Sequence, residues 1–235
     1  MICLVTDRRR LSAGSDAIER LVTVVGAAAR AGVDLIHVRE RDLDARALAR
    51  LVRRCVEAAE GTGAKVVVND RADVALAAGA GGVHLRSDSI PAGAVRSLLP
   101  AGAIVGRSVH SADEASTISR EGAVDYLVFG ALFQTPSKPP EHPLATLDEL
   151  AAACRRAVAP VRLKADTPSA AKGRVPVLAI GGMTAERASI VARAGAAGIA
   201  GIGLFIPPAG NALDAHLHTI VAQLRETFDT CQAHT

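Results

Sequence analysis

Aromatic side chains are nearly missing from this 235-residue chain, which has four Phe, one Tyr and no Trp. Binding by stacking bases or sugar rings on aromatic platforms therefore has almost no material to use, and the core must be aliphatic. Cysteine is scarce as well. Cys3, Cys55, Cys154 and Cys231 stand far apart with no CxxC pair, so neither a disulfide framework nor a zinc site is suggested. Isolated buried thiols in a reducing cytoplasm are expected instead. A large excess of one charge is also lacking: 27 Lys and Arg face 24 Asp and Glu, for a net charge of +3. Arg8-Arg9-Arg10 is the single basic triple and reads as a short solvated run, not a nucleic-acid patch. Residues 2–5 are apolar but charge follows directly, so no secretory signal is read there. Residues 194–213 carry no charge over about the length of a membrane span. Gly195, Gly198, Gly201, Gly203, Pro207 and Pro208 break that stretch, which reads as a buried strand plus a loop. A soluble, cytoplasmic protein is expected, with neither nucleic acid nor membrane as partner.

What the chain does have is a rhythm. Apolar residues make up 49% and charged residues 22%, and the glycines and prolines are not repetitive, which excludes disordered, collagen-like and coiled-coil chains. Short β-branched runs occur at 2–6, 34–38, 65–69, 82–85, 104–107, 126–129, 177–180 and 197–201. Alanine-rich helical patterns lie between them, for example at 15–31, 44–60, 111–121, 146–159, 184–194 and 212–228. Ser111 and Thr184 stand before first-turn carboxylates as helix N-caps. The repeated Ala31-Gly32, Ala78-Gly79 and Ala194-Gly195 mark helix ends. Strand runs nearly continuous in Val, Ile and Leu suit parallel strands covered on both faces. Eight strand–helix units predict a single-domain (β/α)8 TIM barrel over residues 1–235, with a doubly wound open sheet as runner-up. The small, polar segment 162–174 reads as an inserted loop on the face away from the chemistry.

In such a barrel the site lies at the carboxyl ends of the strands. Arg39-Glu40-Arg41, Asn69-Asp70-Arg71, Arg86-Ser87-Asp88, Arg107-Ser108-Val109-His110 and Gly181-Gly182-Met183-Thr184 fall there, followed by Gly201-Ile202-Gly203. Two glycine loops after the seventh and eighth strands point to phosphate binding by backbone N–H groups. Thr135, Ser137 and Lys138 could add donors from the long loop after the sixth strand, or form an ordinary polar lid. His110, at a strand end ahead of a helix N-terminus, is the acid/base candidate. His84, inside a strand, reads as a packing histidine, and the remaining loop and helix histidines as surface residues. Glu40 and Asp70 read most simply as ion-pair partners of the neighbouring Arg39, Arg41 or Arg71. A magnesium site would want two carboxylates beside a phosphate, and Asp70 and Asp88 are the candidates.

LVTD, IHVRER, VNDRADVALAAGAGGVHL, GRSVHS, DYLVFGALFQTPSK and VLAIGGMT together resemble the thiamine phosphate synthase / TenI superfamily, from the first strand to the eighth. The resemblance implies a barrel, thiamine biosynthesis and a thiazole phosphate ligand. Its two branches differ in chemistry. Synthases join a pyrimidine pyrophosphate to the thiazole phosphate with magnesium held by aspartates. The tautomerase branch aromatises a thiazole phosphate carboxylate without a metal. Synthases carry Gln before Arg-Glu-Lys after the second strand, and HLGQ-x-D after the fourth. Here those positions read His37-Val38-Arg39-Glu40-Arg41 and His84-Leu85-Arg86-Ser87-Asp88-Ser89. The second metal aspartate is thus Ser89, or is displaced to Asp88, and Arg86 stands where the synthase has glycine.

These departures favour the tautomerase, an isomerase, with no cofactor. In that reading His110 transfers the proton, Gly181, Gly182 and Gly203 amides hold the phosphate, and Arg39 holds the carboxylate. Asn69, Ser108, Thr135 and Lys138 complete the substrate site. Two further departures concern the site itself: Gly203 replaces a Ser frequent in that branch, and Pro139-Pro140 follow Lys138. The synthase, with magnesium on Asp70 and Asp88, is the alternative. A non-catalytic barrel that only binds a phosphorylated thiazole is the third reading. Exposed aliphatic helix faces leave a homo-oligomer open.

Overall fold

The computed structural model describes residues 1–11, 14, 16–136, 139–159, 173–208 and 210–232. Eight parallel strands pair in chain order and close into a barrel. They are β1 Ile2–Val5, β2 Leu35–Val38, β3 Lys65–Asn69, β4 Gly82–Leu85, β5 Ile104–Val109, β6 Tyr126–Phe129, β7 Val177–Ile180 and β8 Gly198–Gly201. The helices between and after them are α1 Ala17–Ala31, α2 Ala45–Ala58, α3 Ala72–Ala78, α4 Ala92–Leu98, α5 Ala112–Arg120, α6 Leu147–Arg156, α7 Ala185–Arg193 and α8 Leu213–Gln232. Closure runs through the β1–β8 pairing, with Cys3 opposite Ala200. The fold is the expected single-domain (β/α)8 barrel. Residues 160–172 lie outside the described residues, and with them nearly all of the insertion expected at 162–174.

Strand alternation sorts the side chains into two layers. On β1, Ile2 and Leu4 pack into the layer beneath the helices, while Cys3 and Val5 point into the barrel. The same alternation turns Leu35, Val67, Tyr126, Val128, Leu178 and Ala200 inward. Fully burying a Leu, Ile, Val or Phe side chain is worth about 1.5–3 kcal/mol, so the larger outer layer supplies most of the stability. Inside the barrel, space is tight. A Cβ on Gly106 would lie 2.1 Å from the Tyr126 ring, so the missing side chain leaves room for the one tyrosine.

Helix ends follow local chemistry. Ser111 Oγ accepts from the Glu114 N–H at 3.1 Å, and Thr184 Oγ1 accepts from the Arg187 N–H at 3.3 Å. Thr146 and Glu149 form a reciprocal capping box at the start of α6. Gly32 ends α1 at φ 97°, a left-handed conformation in which a Cβ would be strained. Cys3 and Cys55 are buried, and burial pushes both thiols up to about 12. Cys154 and Cys231, also expected to be buried, are half-buried on α6 and α8. Among the described residues, no helix is long and apolar enough to cross a membrane.

Candidate functional site

A cavity of about 430 Å³ opens at the carboxyl ends of the strands, over the inward side chains. Arg39, Asn69, Ser108, His110, Thr135 and Gly181 all line it, so six of the nine expected binding and catalytic residues meet in one chamber. Two lobes adjoin it. One, of about 220 Å³, lies against Thr135, Gly181, Gly182, Gly203 and Arg10. The other, of about 200 Å³, lies against Glu40, Arg41, Asn69, Asp70 and Arg86. Ser137 and Lys138 lie outside the described residues.

The chamber floor is a buried polar network set by alternation on β2 to β6. His84 Nδ1 is 2.9 Å from the Tyr126 hydroxyl and its Nε2 is 2.9 Å from Ser108 Oγ. His37 Nε2 is 3.2 Å from Asn69 Oδ1, and the His37 and His84 rings lie 4.4 Å apart. Burial, then the charge of Arg39, pulls His84 down to about 3. Burial, then His84 and Arg39, holds His37 well below the ordinary histidine value. Both rings are therefore neutral. His84 is buried as expected of a packing residue, but it also faces the cavity. His37 carried no signal of its own in the sequence beyond its place in a motif.

His110 sits just past β5. Its N–H donates to Glu114 Oε2 at 2.6 Å, and its Nδ1 lies 2.6 Å from the Gly130 carbonyl oxygen. A carbonyl can only accept, so Nδ1 donates in this contact and Nε2 is the ring nitrogen left for a ligand. Arg107, two strand positions from Val109, faces away from the barrel interior. It is 6% exposed and donates to the carbonyls of Ser87, Ser89 and Ile90 at 2.9, 2.9 and 2.8 Å. Its role is to hold the loop after β4.

The glycines after β7 serve the loop that packs on them. Gly181 has φ 103° and Gly182 φ 58°. A Cβ on Gly181 would lie 2.8 Å from Ala131 Cα, and one on Gly182 would lie 2.4 Å from the Gln134 carbonyl oxygen. Close packing of residues 130–135, together with positive φ, demands glycine here and shapes the smaller lobe's wall. On its far side a Cβ on Gly203 would lie 3.1 Å from Arg10 Nη2. The basic triple is thus not one solvated run. Arg8 donates to Glu40 and Asp42, Arg9 to Asp42, and Arg10 turns to the glycine lobe. A three-residue 3-10 turn over Arg8–Arg10 splits them, which a reading of charge alone could not reveal.

The carboxylates also pair differently from the expectation. Glu40, 4% exposed, accepts from Thr6 Oγ1 at 2.7 Å, from the Arg8 N–H at 3.1 Å and from Arg8 Nη1 at 2.8 Å. Arg39 and Arg41 cannot reach it because successive side chains of an extended chain point apart. Arg71 pairs with Asp73. Asp70, at φ 58°, accepts from Ser89 Oγ, from the Arg86 N–H at 3.1 Å and from Asn69 Nδ2 at 3.3 Å. Arg86 Nε is 3.7 Å from Asp70 Oδ2, and the same guanidinium pairs with Asp88. Arg39 is half-buried and its guanidinium has no acceptor among the described residues. Burial, then Arg41, lowers its pKa.

This donor set does not fit the magnesium site that the synthase alternative implies. Its two carboxylates, Asp70 and Asp88, face one guanidinium and not a shared gap, and a serine hydroxyl donates to Asp70. A divalent cation placed there would meet the Arg86 charge directly. Among the described residues, no group of three or more His, Cys, Asp or Glu side chains could hold a metal.

Comparison with known proteins corrects the branch. The thiamine-phosphate synthase of Roseiflexus castenholzii is 37% identical over 206 residues, covering 88% of this chain and 81% of its own. That of Chlorobium luteolum is 36% identical over 200 residues, covering 85% of this chain and 82% of its own. The thiamine phosphate pyrophosphorylase of Pyrococcus furiosus superposes with a TM-score of 0.73 at 25% identity, covering 98% of this chain and 96% of its own. The isomerase reading, and the aromatisation by His110 that came with it, are overturned by this similarity to synthases. The residues that favoured the tautomerase, His37, Arg41, Arg86 and Ser89, are local replacements inside a chain that resembles synthases over most of its length. The thiamine monophosphate synthase family matches residues 2–205, and the chain belongs to that family.

Proposed function

We propose that this barrel is a transferase of the thiamine-phosphate synthase type, joining a pyrimidine pyrophosphate to a thiazole phosphate. The observation that carries the reading is one chamber flanked by two anion-suited lobes. Gly181, Gly182, Gly203 and Arg10 border one lobe, and Arg41 and Arg86 border the other. Each substrate brings its own phosphate group, and two lobes on opposite sides of a neutral floor would keep the reacting rings between them.

In the reaction, the bond from the pyrimidine's substituent carbon to the pyrophosphate oxygen breaks. The thiazole ring nitrogen gives its lone pair to that carbon, and inorganic pyrophosphate leaves. The nitrogen carries no proton, so no base is required at the bond-forming step. His110 then acts by position: its Nε2 makes a hydrogen bond to a substrate group in the chamber. Arg39 supplies positive charge towards the leaving pyrophosphate, where charge grows as the bond breaks. Neutral His37, Asn69 and Ser108 offer donors and acceptors for the polar edge of a flat ring, and His84 positions Ser108 through its Nε2. Thr135 borders the same lobe as the glycines.

The test is incubation of the purified protein with both substrates and mass-spectrometric detection of the condensed phosphate together with released pyrophosphate. Stoichiometric formation of both, lost when either substrate is omitted, is the expected result. A protein that forms neither, with or without magnesium, is not a synthase.

A further inference from the structure

The inference concerns the pyrophosphate lobe and rests on the synthase reading. We propose that the Arg86 guanidinium occupies the role of a metal ion, so that the substrate's pyrophosphate is received by Arg86, Arg39 and Arg41 without a divalent cation.

Three observations converge on this. First, Arg86 and its neighbour Ser89 have taken the metal's partners: Asp70 accepts from the Ser89 hydroxyl and the Arg86 N–H, and Arg86 Nε stands 3.7 Å from its other oxygen. Second, Arg39, Arg41 and Arg86 border the same chamber, and Asp88 is the one carboxylate among the described residues that lines it. Glu40 belongs to Thr6 and Arg8, and Asp70 and Asp88 both face Arg86. Arg39, half-buried, makes no side-chain hydrogen bond among the described residues; Arg41 and Arg86 repel it, and only the more distant charges of Asp7 and Glu40 offset them. Three guanidinium groups facing one exposed carboxylate leave the chamber with an excess of positive charge suited to a polyanion. Third, the loop bearing Arg86 is held: buried Arg107 donates to three of its carbonyls, at Ser87, Ser89 and Ile90.

The Arg86–Asp88 pair does not stand in the way. The Asp88 side chain is 65% exposed, and an exposed pair of this kind is weak. A pyrophosphate oxygen pair offers the planar fork a bidentate partner, which competes well with a single solvated carboxylate. Asp70 then orients the guanidinium through Nε and leaves its outer N–H groups for the ligand.

The experiment is calorimetric titration of the full-length protein with inorganic pyrophosphate, once in EDTA and once in excess magnesium, for the parent, R86Q and R86K. Thermal melts verify that each variant is folded. The parent is expected to bind in EDTA, with magnesium changing Kd by less than about fivefold. R86Q should weaken binding by roughly tenfold or more in EDTA, the scale of a lost charge-assisted pair. R86K, which keeps the charge and loses the fork, should fall between them. Binding that requires magnesium, or that R86Q leaves unchanged, overturns the proposal. A second arm separates its fate from that of the synthase reading, by supplying both organic substrates in EDTA and in magnesium. Product in magnesium alone keeps the synthase and removes the arginine site. Metal-independent pyrophosphate binding with no product in either buffer keeps the arginine site and removes the synthase.

Discussion

His84 and Tyr126 share a hydrogen bond of 2.9 Å inside the barrel, and Ser108 takes the other nitrogen of the same ring. Two hydroxyls on one imidazole satisfy a neutral ring completely, since each hydroxyl can donate or accept. A second ring proton would place an unpaired charge beside Arg39 in a water-poor interior, which is why the folded protein resists it.

Stability should therefore fall as the solution is acidified. His84 has its pKa lowered from 6.5 to about 3 on folding. Between those values the unfolded chain binds a proton and the folded chain does not. Its contribution is fully present above pH 6.5 and is lost as pH falls towards 3, at up to about 1.4 kcal/mol per pH unit. His37 acts with the same sign. Urea unfolding of the parent and His84→Gln at pH 7.5, 6 and 5 measures this. The variant should show the flatter dependence; parallel curves would refute the account.

Gly106 and Tyr126 should be coupled. Gly106→Ala puts a methyl 2.1 Å from the buried Tyr126 ring, so the ring must shift. Overpacking of this kind costs about 1–3 kcal/mol. Tyr126→Ala removes a large inward side chain and should cost about 3–5 kcal/mol. In the double variant the methyl enters the vacated space, so the combined loss should be smaller than the two single losses added. Simple additivity in denaturant melts would show that the contact does not constrain the barrel.

Arg10 should matter for one substrate only. Its guanidinium borders the lobe of Gly181, Gly182 and Gly203, away from Arg86. Arg10→Ala is expected to raise KM for the thiazole phosphate by roughly tenfold, the scale of one charge-assisted contact. KM for the pyrimidine pyrophosphate should stay within about twofold. Equal effects on both would place Arg10 outside the phosphate lobe.

Glu40 is a structural carboxylate. Replacing it as Glu40→Gln weakens bonds to Thr6 and Arg8 in a site only 4% exposed. A loss of about 1–3 kcal/mol is expected. Because the site is shielded from ions, the loss should hardly change between low and high salt. Strong salt dependence would mark it as an ordinary surface pair.

The barrel was legible because parallel strands buried on both faces need long β-branched runs, and eight such runs punctuate the sequence. Four of the eight strands have the anticipated bounds, and β5 runs on to Val109 because Arg107 and Ser108 satisfy themselves on opposite faces. The location of His110 and the paired glycines at the cavity mouth was legible too, since each follows a strand at its carboxyl end. Arg10 was not, because only a 3-10 turn decides where the third member of a basic run points. The branch was misread for a related reason. Arg86 and Ser89 replace a metal site, which points to the metal-free branch unless their bonds to Asp70 are seen, and those bonds are not written in the sequence.

The pairing of β1 with β8 joins residues nearly two hundred positions apart, Cys3 with Ala200 among them. During synthesis the outer edge of β1 stays open until β8 has left the ribosome, and each newly made strand presents a fresh unpaired edge in turn. Such long-range closure is slow, and unpaired edges recruit other chains. Spacing sibling chains on one message by slower translation initiation should therefore improve soluble recovery.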